Sequence, residues 1–469
     1  MRAAMRAPME EVQVPMIVMK FGGSSLKDAA AIERVSSIVA SRLPRRPVVV
    51  VSAMGDTTDE LLALAAAITD EPDARELDVL LATGEHQSAT LVSMALHALG
   101  TPAISLTGPQ AGITTDGRYG KARIAGIDPR RIHAELAAGK VVIVAGFQGM
   151  SVAEVDGLDD TPGGSDVHAA EMTTLGRGGS DTSAVALAAQ LKADRCQIFT
   201  DVKGIYSADP RIVPDARQLS VIGYEEMMEL AHQGAQVMQV RAVELGWVND
   251  VVIEVLSSFE DAPGTQIRED PLVEQRNKVR GIAHDRNVAK VTLVEVPDRP
   301  GVATAVFGPL ADEGINVDMI VQNVGHGAAT DLSFTIPRVE LARAKRILEP
   351  LVRELGFREV TTDSSVAKVS IVGAGIHNAP GYAARMFGTL AEAGINIEMI
   401  STSEIRITTI IAEDRVEDAV RALHAQFALE SPEAAEAAAE VLGSAEAPVA
   451  ADFPEAAESP EAAEAAAAG

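Results

Sequence analysis

Cysteine is almost absent from this chain, since Cys196 is the only one among 469 residues. A single cysteine excludes an internal disulfide and is typical of a reducing compartment. Cys196 lies in an apolar strand pattern, so we interpret it as a buried structural thiol. No apolar run approaches the about 18 residues that a membrane span needs. Residues 1–13 also lack the apolar core of a signal peptide, so we expect a cytoplasmic protein.

Basic residues are scarce relative to acidic ones. The chain has 40 Lys and Arg against 67 Asp and Glu, which gives a formal net charge of −27. This balance argues against nucleic acids and acidic membranes as partners, because both are negatively charged. The length is sufficient for roughly two or three domains with their own cores.

The first half of the chain alternates between strand and helix patterns. Apolar runs such as PVVVV and VVIVA alternate with Ala- and Leu-rich helical patterns up to about Ser258. This order predicts βα units and a mostly parallel sheet between helical layers. We expect an α/β domain at 16–260 after a flexible tail at 1–15, and a polar linker at 261–278.

An internal repeat with an offset of 80 residues follows the linker. The segment PGVATAVFGPLADEGINVDMI at 300–320 returns as PGYAARMFGTLAEAGINIEMI at 380–400. Each copy predicts strand, Pro-Gly loop, helix, Gly-Ile-Asn turn and strand, which is half of a ferredoxin-like α+β unit. We expect the two copies at 279–362 and 363–430. The Ala/Glu/Pro-rich end at 431–469 predicts a disordered tail.

A glycine-rich turn, TTLGRGGSD at 173–181, precedes a helix of small residues. Glycines allow a close backbone approach to a ligand, and a helix start offers unpaired N–H groups to an anion. Arg177 adds a planar fork that matches a carboxylate or a phosphate.

Two further junctions have similar chemistry. At the end of a short strand, Lys20 and a glycine pair are followed by serines that can cap a helix from about Asp28 to Ala40. A second strand breaks into a polar loop with Gly and Pro at 198–211. Such loops lie at the carboxyl edge of an open α/β sheet, where ligands bind. Each junction alone is also compatible with an ordinary loop, but together they suggest phosphoryl transfer.

These motifs together resemble the aspartokinase branch of the amino acid kinase family. They are KFGGSS (20–25), SAMGDTTDEL (52–61), TGE (83–85), GFQG (146–149), TTLGRGGSD (173–181) and TDVKGIYSADPR (200–211). The resemblance covers roughly residues 16–430 and implies an amino acid kinase fold followed by two ACT domains. By the same resemblance, the ACT copies interleave and residues 279–284 form a strand of the second copy.

The resemblance also implies the reaction and its residues. ATP with Mg²⁺ and L-aspartate would give 4-phospho-L-aspartate, with Lys20 and Asp181 as catalytic residues. The substrate-binding residues would be Ser52, Thr58, Glu85, Arg177, Gly178, Gly179 and Ser180. The nucleotide-binding residues would be Lys20, Phe21, Gly22, Gly23, Thr200, Asp201, Tyr206, Asp209, Arg211 and Gln236. No metal ligand is assigned to the protein itself.

Several of these residues also have ordinary structural interpretations. Glu85 could be an acidic residue at a helix N-terminus, and Ser52 and Thr58 could be helix caps. Thr200 and Asp201 could form a turn. The two histidines His86 and His168 lack partners at metal-ligand spacing, so we interpret both as non-ligands.

Three features depart from the family pattern. Gln236 replaces a lysine that is thought to contact the nucleotide phosphates, and Lys203 is a candidate substitute. An acidic insertion at about 152–172 is expected to be a flexible surface loop, with a lid over the substrate pocket as the alternative. No methionine lies between Met238 and Met319, so we expect a homo-oligomer of full-length chains rather than a separate regulatory subunit.

ACT domains dimerise and bind amino acids, which implies feedback regulation by lysine, threonine or both. The matching positions are Asp298, Asn316, Asp318, Gln322, Asn323, Thr330, Asp331, Asn396 and Glu398. The carboxylates of Asp318 and Glu398 would suit an amino-acid ammonium. Alternatively, Asn316 and Asn396 are turn residues that tolerate a left-handed backbone.

The sequence therefore predicts a feedback-regulated aspartate kinase that catalyses the first step towards lysine, threonine and methionine. Two alternatives stay open. One is a related kinase with another carboxylate acceptor, and the other is an amino-acid sensor whose kinase domain has decayed at Gln236.

Overall fold

The computed structural model describes residues 15–154, 168–235, 237–269, 278–322, 329–377 and 379–430. Among the helices in these ranges, none combines the length and the apolar character needed to cross a membrane.

The first domain is an alternation of strands and helices. Its elements in chain order are β1 (Ile17–Phe21), α1 (Ala29–Ser41), β2 (Pro47–Val51), α2 (Thr57–Ile68), α3 (Ala74–Ala98), β3 (Ala103–Leu106), β4 (Ile113–Thr115), β5 (Ile124–Ile127), α4 (Arg130–Ala137), β6 (Val141–Ala145), β7 (Gln148–Glu154), β8 (His168–Thr174), α5 (Gly179–Leu191), β9 (Arg195–Thr200), β10 (Val221–Ile222), α6 (Tyr224–His232), α7 (Val240–Val248), β11 (Ile253–Ser257) and β12 (Thr265–Ile267).

Eight of these strands form the central sheet, in the order β10-β12-β11-β9-β1-β2-β6-β3. The pairs around β1, β2, β6 and β9 are parallel, whereas β11 and β12 are antiparallel. Helices cover both faces, so the strands are apolar on both sides. Val35 of α1 and Val92 of α3 contribute to the core on one face. Leu187 of α5 and Val243 of α7 contribute to the other, which also contains the buried Cys196.

A smaller sheet, β5-β4-β7-β8, lies beside this layer and corrects one prediction. β7 and β8 pair antiparallel from Gln148 with Thr174 to Glu154 with His168. The expectation of a loop over 152–172 is therefore wrong at both ends, because backbone pairing continues the hairpin through these residues. Residues 155–167, the centre of the insertion, lie outside the described ranges.

The cap of α1 is also corrected. Asp28 rather than a serine precedes the helix, and its Oδ1 accepts a hydrogen bond from the Ala31 N–H at 2.8 Å. The serines Ser24 and Ser25 lie one turn earlier, in a short 3₁₀ segment. Asp28 has the extended backbone that an N-cap residue needs, which explains the difference.

The second half of the chain forms two four-stranded sheets with helices. Its elements are β13 (Gly281–Asp285), β14 (Val288–Pro297), α8 (Val302–Asp312), β15 (Ile320–Gln322), β16 (Ala329–Pro337), α9 (Leu341–Leu355), β17 (Glu359–Asp363), β18 (Val366–Val372), α10 (Tyr382–Glu392), β19 (Met399–Thr402), β20 (Arg406–Ala412) and α11 (Val416–Gln426). The strand orders are β15-β16-β14-β17 and β13-β18-β20-β19. β13 therefore lies in the sheet of the second copy, antiparallel to β18.

The two copies are joined through equivalent residues. A small core contains Val288 and Met319 from the first copy with Val366, Met399 and Ile410 from the second. Met319 and Met399 are related by the sequence offset of 80. The predicted fold class, an α/β domain followed by two ferredoxin-like α+β units, is confirmed.

Candidate active site

Two charged side chains meet where β1 ends and α5 begins. Lys20 Nζ lies 2.6 Å from Asp181 Oδ1, and the side chains are only 12% and 10% exposed. Asp181 is in the first turn of α5, where the helix dipole favours a negative charge. Because this ion pair has little contact with water, each charge depends on the other for compensation. The Lys20 ammonium thus lies at the edge of the sheet, where a ligand can approach it.

The loops after β1 and β2 lie against each other beside this pair. Ser52 N–H donates to the Phe21 carbonyl at 3.1 Å, and Gly55 N–H donates to the Gly23 carbonyl at 3.0 Å. A Cβ on Gly23 would lie 2.8 Å from the Gly55 carbonyl oxygen, so a larger residue would separate the loops. Asp56 is the N-cap position of α2, so the interpretation of Ser52 and Thr58 as its caps is wrong.

Glu85 reaches the same loops from the interior of α3. It is 3% exposed, and its Oε1 accepts a hydrogen bond from the Ala53 N–H at 3.1 Å. Its buried Oε2 has no hydrogen-bond donor among the described residues. Burial raises the pKa of this carboxyl to about 7. The interpretation as a helix N-terminal charge is wrong, because α3 begins about three turns earlier.

The glycine-rich turn presents Arg177 to solvent. Gly176 and Gly178 take left-handed backbones, with φ of 77° and 72°, and Gly178 is the N-cap residue of α5. Gly179 and Ser180 are buried at the helix start. The Arg177 guanidinium is exposed and makes no hydrogen bond or ion pair within the described part of the chain. Its five donors are therefore available to a ligand.

The predicted nucleotide loop follows β9. Thr200 ends the strand, and its hydroxyl donates to Asp201 Oδ1 at 3.1 Å. Arg211 and Asp209 form an ion pair of 2.7 Å, which holds the pKa of Asp209 below its usual value. Tyr206, the remaining loop residue, forms a β-bridge with Gln218.

Two residues concern the family lysine that this chain lacks, namely Gln236, which replaces it, and Lys203, the candidate substitute. Lys203 Nζ pairs with Glu260 at 2.8 Å, and both side chains are about half exposed. Gln236 lies outside the described residues.

The histidines have the following positions. His86 Nε2 lies 2.7 Å from Gln148 Oε1, and the side chain of His168 lies outside the described residues. Within the described ranges, no group of three or more His, Cys, Asp or Glu side chains is placed to hold a metal ion.

Sequence reasoning missed two charged residues that hold the glycine-rich turn, one buried and one partly buried. Asp78 of α3 accepts hydrogen bonds from Thr174, and Arg241 of α7 donates to Leu175. The spacing of Asp78 and Glu85 places them on one face of a helix about two turns apart. That spacing is the only signal in the sequence that could have found Asp78.

In the repeats, the two predicted effector carboxylates are paired with lysines of the opposite copy. Asp318 lies 2.7 Å from Lys368 Nζ, and Glu398 lies 3.0 Å from Lys290 Nζ. The ring of His232 on α6, 3.9 Å away, and the ammonium of Lys368 hold the pKa of Asp318 well below its usual value. These carboxylates therefore already neutralise lysine side chains in the absence of an amino-acid ligand.

The other predicted effector residues are dispersed over the first copy and the Gly-Ile-Asn turn of the second. Asp298, Asn316, Gln322 and Asn396 are exposed, Thr330 is buried, and Asn323 lies outside the described residues. Asp331 Oδ1 accepts a hydrogen bond from the Glu295 N–H at 2.9 Å. The left-handed residues of the two turns are Gly314 and Gly394, so the interpretation of the asparagines as left-handed turn residues is wrong.

Comparison with known proteins agrees with this architecture. Residues 15–251 match the amino acid kinase family, and residues 290–356 and 369–427 match ACT domains. The aspartate kinase of Pseudomonas putida is 48% identical over 89% of this chain and 98% of its own length. The aspartokinase of Corynebacterium glutamicum is also 48% identical, over 88% of this chain and 96% of its own.

Solved structures give the same result. Aspartokinase III of E. coli in complex with aspartate and ADP, described as the R-state, has a TM-score of 0.71 and 26% identity, covering 88% of this chain and 99% of its own. The T-state of that enzyme, in complex with lysine and aspartate, has a TM-score of 0.67 and 26% identity, covering 87% and 99%. The chain therefore belongs to the aspartokinases of the amino acid kinase family, the enzymes that phosphorylate aspartate, and carries two ACT domains after its kinase domain.

Proposed function

We propose that Lys20, Asp181, Arg177 and Glu85 transfer the γ-phosphoryl group of ATP to the β-carboxylate of L-aspartate, giving 4-phospho-L-aspartate. The observation that carries this proposal is the Lys20–Asp181 pair at the carboxyl edge of the sheet, beside the glycine loops. The β-carboxylate is already ionised at neutral pH, so no general base is needed. The site must instead bring together two anions, which requires positive charge and alignment.

In this proposal each charged residue has a defined task. Lys20 and the amides of Gly22 and Gly23 bind the phosphates, and Asp181 fixes the Lys20 ammonium. Charge that is fixed before the reaction stabilises the transition state without reorganisation. Arg177 binds a carboxylate of aspartate through its free donors, and the unpaired Oε2 of Glu85 accepts the α-ammonium. The remaining substrate contacts come from Ser52, Thr58, Gly178, Gly179 and Ser180.

ATP is bound, in the same proposal, by the loop after β9 together with Mg²⁺. The nucleotide residues are Phe21, Thr200, Asp201, Tyr206, Asp209, Arg211 and Gln236. Mg²⁺ takes oxygen ligands, often one or two carboxylates together with substrate phosphates. Asp181, in the first turn of α5, and Asp201, directly after β9, are suitable donors, because α5 and β9 both adjoin β1. When bound, the ion would add positive charge at the β- and γ-phosphate oxygens.

We further propose that the product enters the route to lysine, threonine and methionine, and that lysine, threonine or both inhibit the enzyme through the ACT domains. The bound lysine of the E. coli T-state structure supports an amino-acid effector. Ile320 and Ile400, on the edge strands β15 and β19, are exposed at equivalent positions of the two copies. Exposed apolar edges of this kind support a homo-oligomer formed through the ACT domains.

A hydroxamate assay tests the proposed reaction, because hydroxylamine traps an acyl phosphate. The full chain is incubated with ATP, Mg²⁺ and either L-aspartate or L-glutamate, with and without lysine plus threonine. We expect product with aspartate only, and less product when the effectors are added. Product with glutamate would favour another acceptor, and a folded protein without any product would favour the sensor alternative.

A further inference from the structure

The turn that carries Arg177 is held on one side by a buried carboxylate of α3. Asp78 is 1% exposed. Its Oδ2 accepts from the Thr174 N–H at 2.8 Å and its Oδ1 accepts from the Thr174 hydroxyl at 2.6 Å. Both oxygens also lie within hydrogen-bonding distance of the Gly120 N–H, at 3.0 and 2.9 Å. Charge-assisted hydrogen bonds of this number fix the end of β8 against α3.

The same turn is held on the other side by an arginine of α7. Arg241 Nη1 donates to the Leu175 carbonyl at 2.9 Å, and Nη2 donates to the Ala122 carbonyl at 3.2 Å. Ala122 N–H in turn donates to the Thr174 carbonyl at 2.9 Å. The planar fork of arginine donates to the two carbonyls from two separate nitrogens in a rigid geometry, whereas the donors of a lysine share one nitrogen.

The residue that follows Arg177 is also in close contact with this segment. A Cβ on Gly178 would overlap the Gln239 side chain, which lies two residues before Arg241. The backbone on both sides of Arg177 is thus fixed, although its guanidinium is exposed. A long exposed side chain binds a ligand with smaller entropy loss when its backbone is already held.

We propose that Asp78 and Arg241 are positioning residues that aim Arg177 at the aspartate carboxylate. This inference rests on the proposed role of Arg177. Asp78 and Arg241 make hydrogen bonds to the backbone of the turn and of the neighbouring loop at 120–122. We therefore expect them to affect substrate binding only through the position of Arg177. A displacement of about 1 Å in such a group can cost up to about a hundredfold in rate.

Steady-state kinetics of the full chain test the proposal. Arg241→Ala should raise the KM for aspartate about tenfold, while the KM for ATP stays within about twofold. Arg241→Lys, which keeps the charge but loses the planar fork, should give an intermediate KM. Asp78→Asn, which keeps the shape and loses the charge, should change the KM for aspartate in the same direction. Arg131→Ala, at an exposed site on α4, is the matched control.

A double-mutant cycle separates this inference from the proposed function. If Arg241 acts through Arg177, then Arg241→Ala should add little to the KM increase already caused by Arg177→Ala. If Arg177→Ala leaves the KM for aspartate unchanged, the proposed role of Arg177 is wrong. If Arg177→Ala raises it but the two effects multiply, or the KM for ATP rises equally, positioning is overturned. Thermal melting of each variant shows whether it is folded.

Discussion

The side chains of Lys20 and Asp181 have little access to water. Burying either charge without the other would be energetically unfavourable. Their 2.6 Å contact neutralises both charges at the edge of the sheet. Removing one partner of such a pair leaves the other charge unpaired, which costs more than the pair contributes. The aspartate therefore controls where the lysine ammonium lies.

The proposed role of Asp181 predicts that Asp181→Asn lowers kcat by at least about a hundredfold, because the Lys20 ammonium would lose its fixed position beside the transferring phosphate. The hydroxamate assay at saturating ATP and aspartate measures this change. Asp312→Asn, at the exposed end of α8, is the control and should retain the activity of the natural chain. A loss of less than about threefold in Asp181→Asn would mean that Asp181 does not organise the reacting charges.

Glu85 carries the other buried charge of the site, and its ionisation can be followed by pH. Its pKa of about 7 lies above the ordinary value of 4.5 because burial disfavours the carboxylate. The ligand-free protein is therefore destabilised by ionisation of this group, by about 3 kcal/mol at high pH. An amino-acid ammonium beside the free Oε2 would offset this cost by stabilising the charged form.

Glu85→Gln should raise the KM for aspartate at least about tenfold, because an amide cannot neutralise the ammonium. In the natural chain the KM should fall as the pH rises through about 7, and in the variant this dependence should be lost. In the absence of aspartate, the natural chain should lose stability relative to the variant between pH 4.5 and about 7, since the unfolded carboxyl ionises first. Urea unfolding at pH 4 and pH 8 checks this sign.

At the scale of elements, the sequence pattern predicted the buried strands but did not predict helix α3. Strands such as Pro47–Val51 are continuous apolar runs, which a parallel sheet requires. The long helix α3 was missed, because Asp78 and Glu85 interrupt its apolar face with charges whose partners come from distant segments. The ends of β7 and β8 were missed because hairpin pairing, rather than composition, makes them strands.

The sequence predicted the site residues that lie in short motifs, but not those that act through contacts between distant segments. Short-range motifs identified Lys20, Arg177 and Asp181 as candidates, and their roles stay predictions. Arg241 could not be identified, because its two partners are backbone carbonyls that leave no trace in the side-chain sequence. Contacts to the backbone become visible only in the folded chain.

The reciprocal ion pairs between the ACT copies differ in burial, and this difference predicts unequal stability effects. Lys368 is 6% exposed whereas Lys290 is 25% exposed. Lys368→Met should cost about 2 kcal/mol, because it leaves Asp318 partly buried without its lysine. Lys290→Met should cost less than about 1 kcal/mol, since Lys290 is itself more exposed and solvent already screens its pair with Glu398. Urea unfolding of the full chain at pH 7 compares the two variants.

The pH dependence of the same variants provides a control. The lowered pKa of Asp318 stabilises the folded chain above the ordinary value of 3.8, and this contribution is lost as the pH falls below it. The difference in the free energy of unfolding between the natural chain and Lys368→Met should therefore be largest at pH 6 and become smaller towards pH 3. Equal losses for both lysine variants at pH 6 would show that burial does not distinguish the pairs.

At the scale of the whole molecule, α6 is one of the segments through which the kinase domain contacts the second ACT copy. Glu226 Oε1 accepts from the Ala374 N–H at 2.9 Å, and Glu229 Oε1 pairs with Arg406 Nη1 at 2.9 Å. The segment after α6 leads to Gln239, which lies against Gly178 of the substrate turn. If a shift of the second copy moves α6, we expect the shift to reach the proposed aspartate site through this connection along the chain.

Arg406→Ala should weaken the proposed feedback inhibition while the activity without effectors stays within about twofold. Allosteric inhibition is a coupling free energy between two sites, so loss of an ion pair that joins them should reduce the coupling. The pair is mostly buried, with side chains 16% and 19% exposed, so solvent screens it little. Inhibition curves with lysine and threonine should show a lower maximal inhibition in the variant. By reciprocity, saturating aspartate should also affect effector binding less in the variant.

Arg353→Ala, at an exposed arginine of α9, is the matched control. Unchanged inhibition in Arg406→Ala would mean that the coupling passes through the contacts of Glu226 or outside α6 altogether.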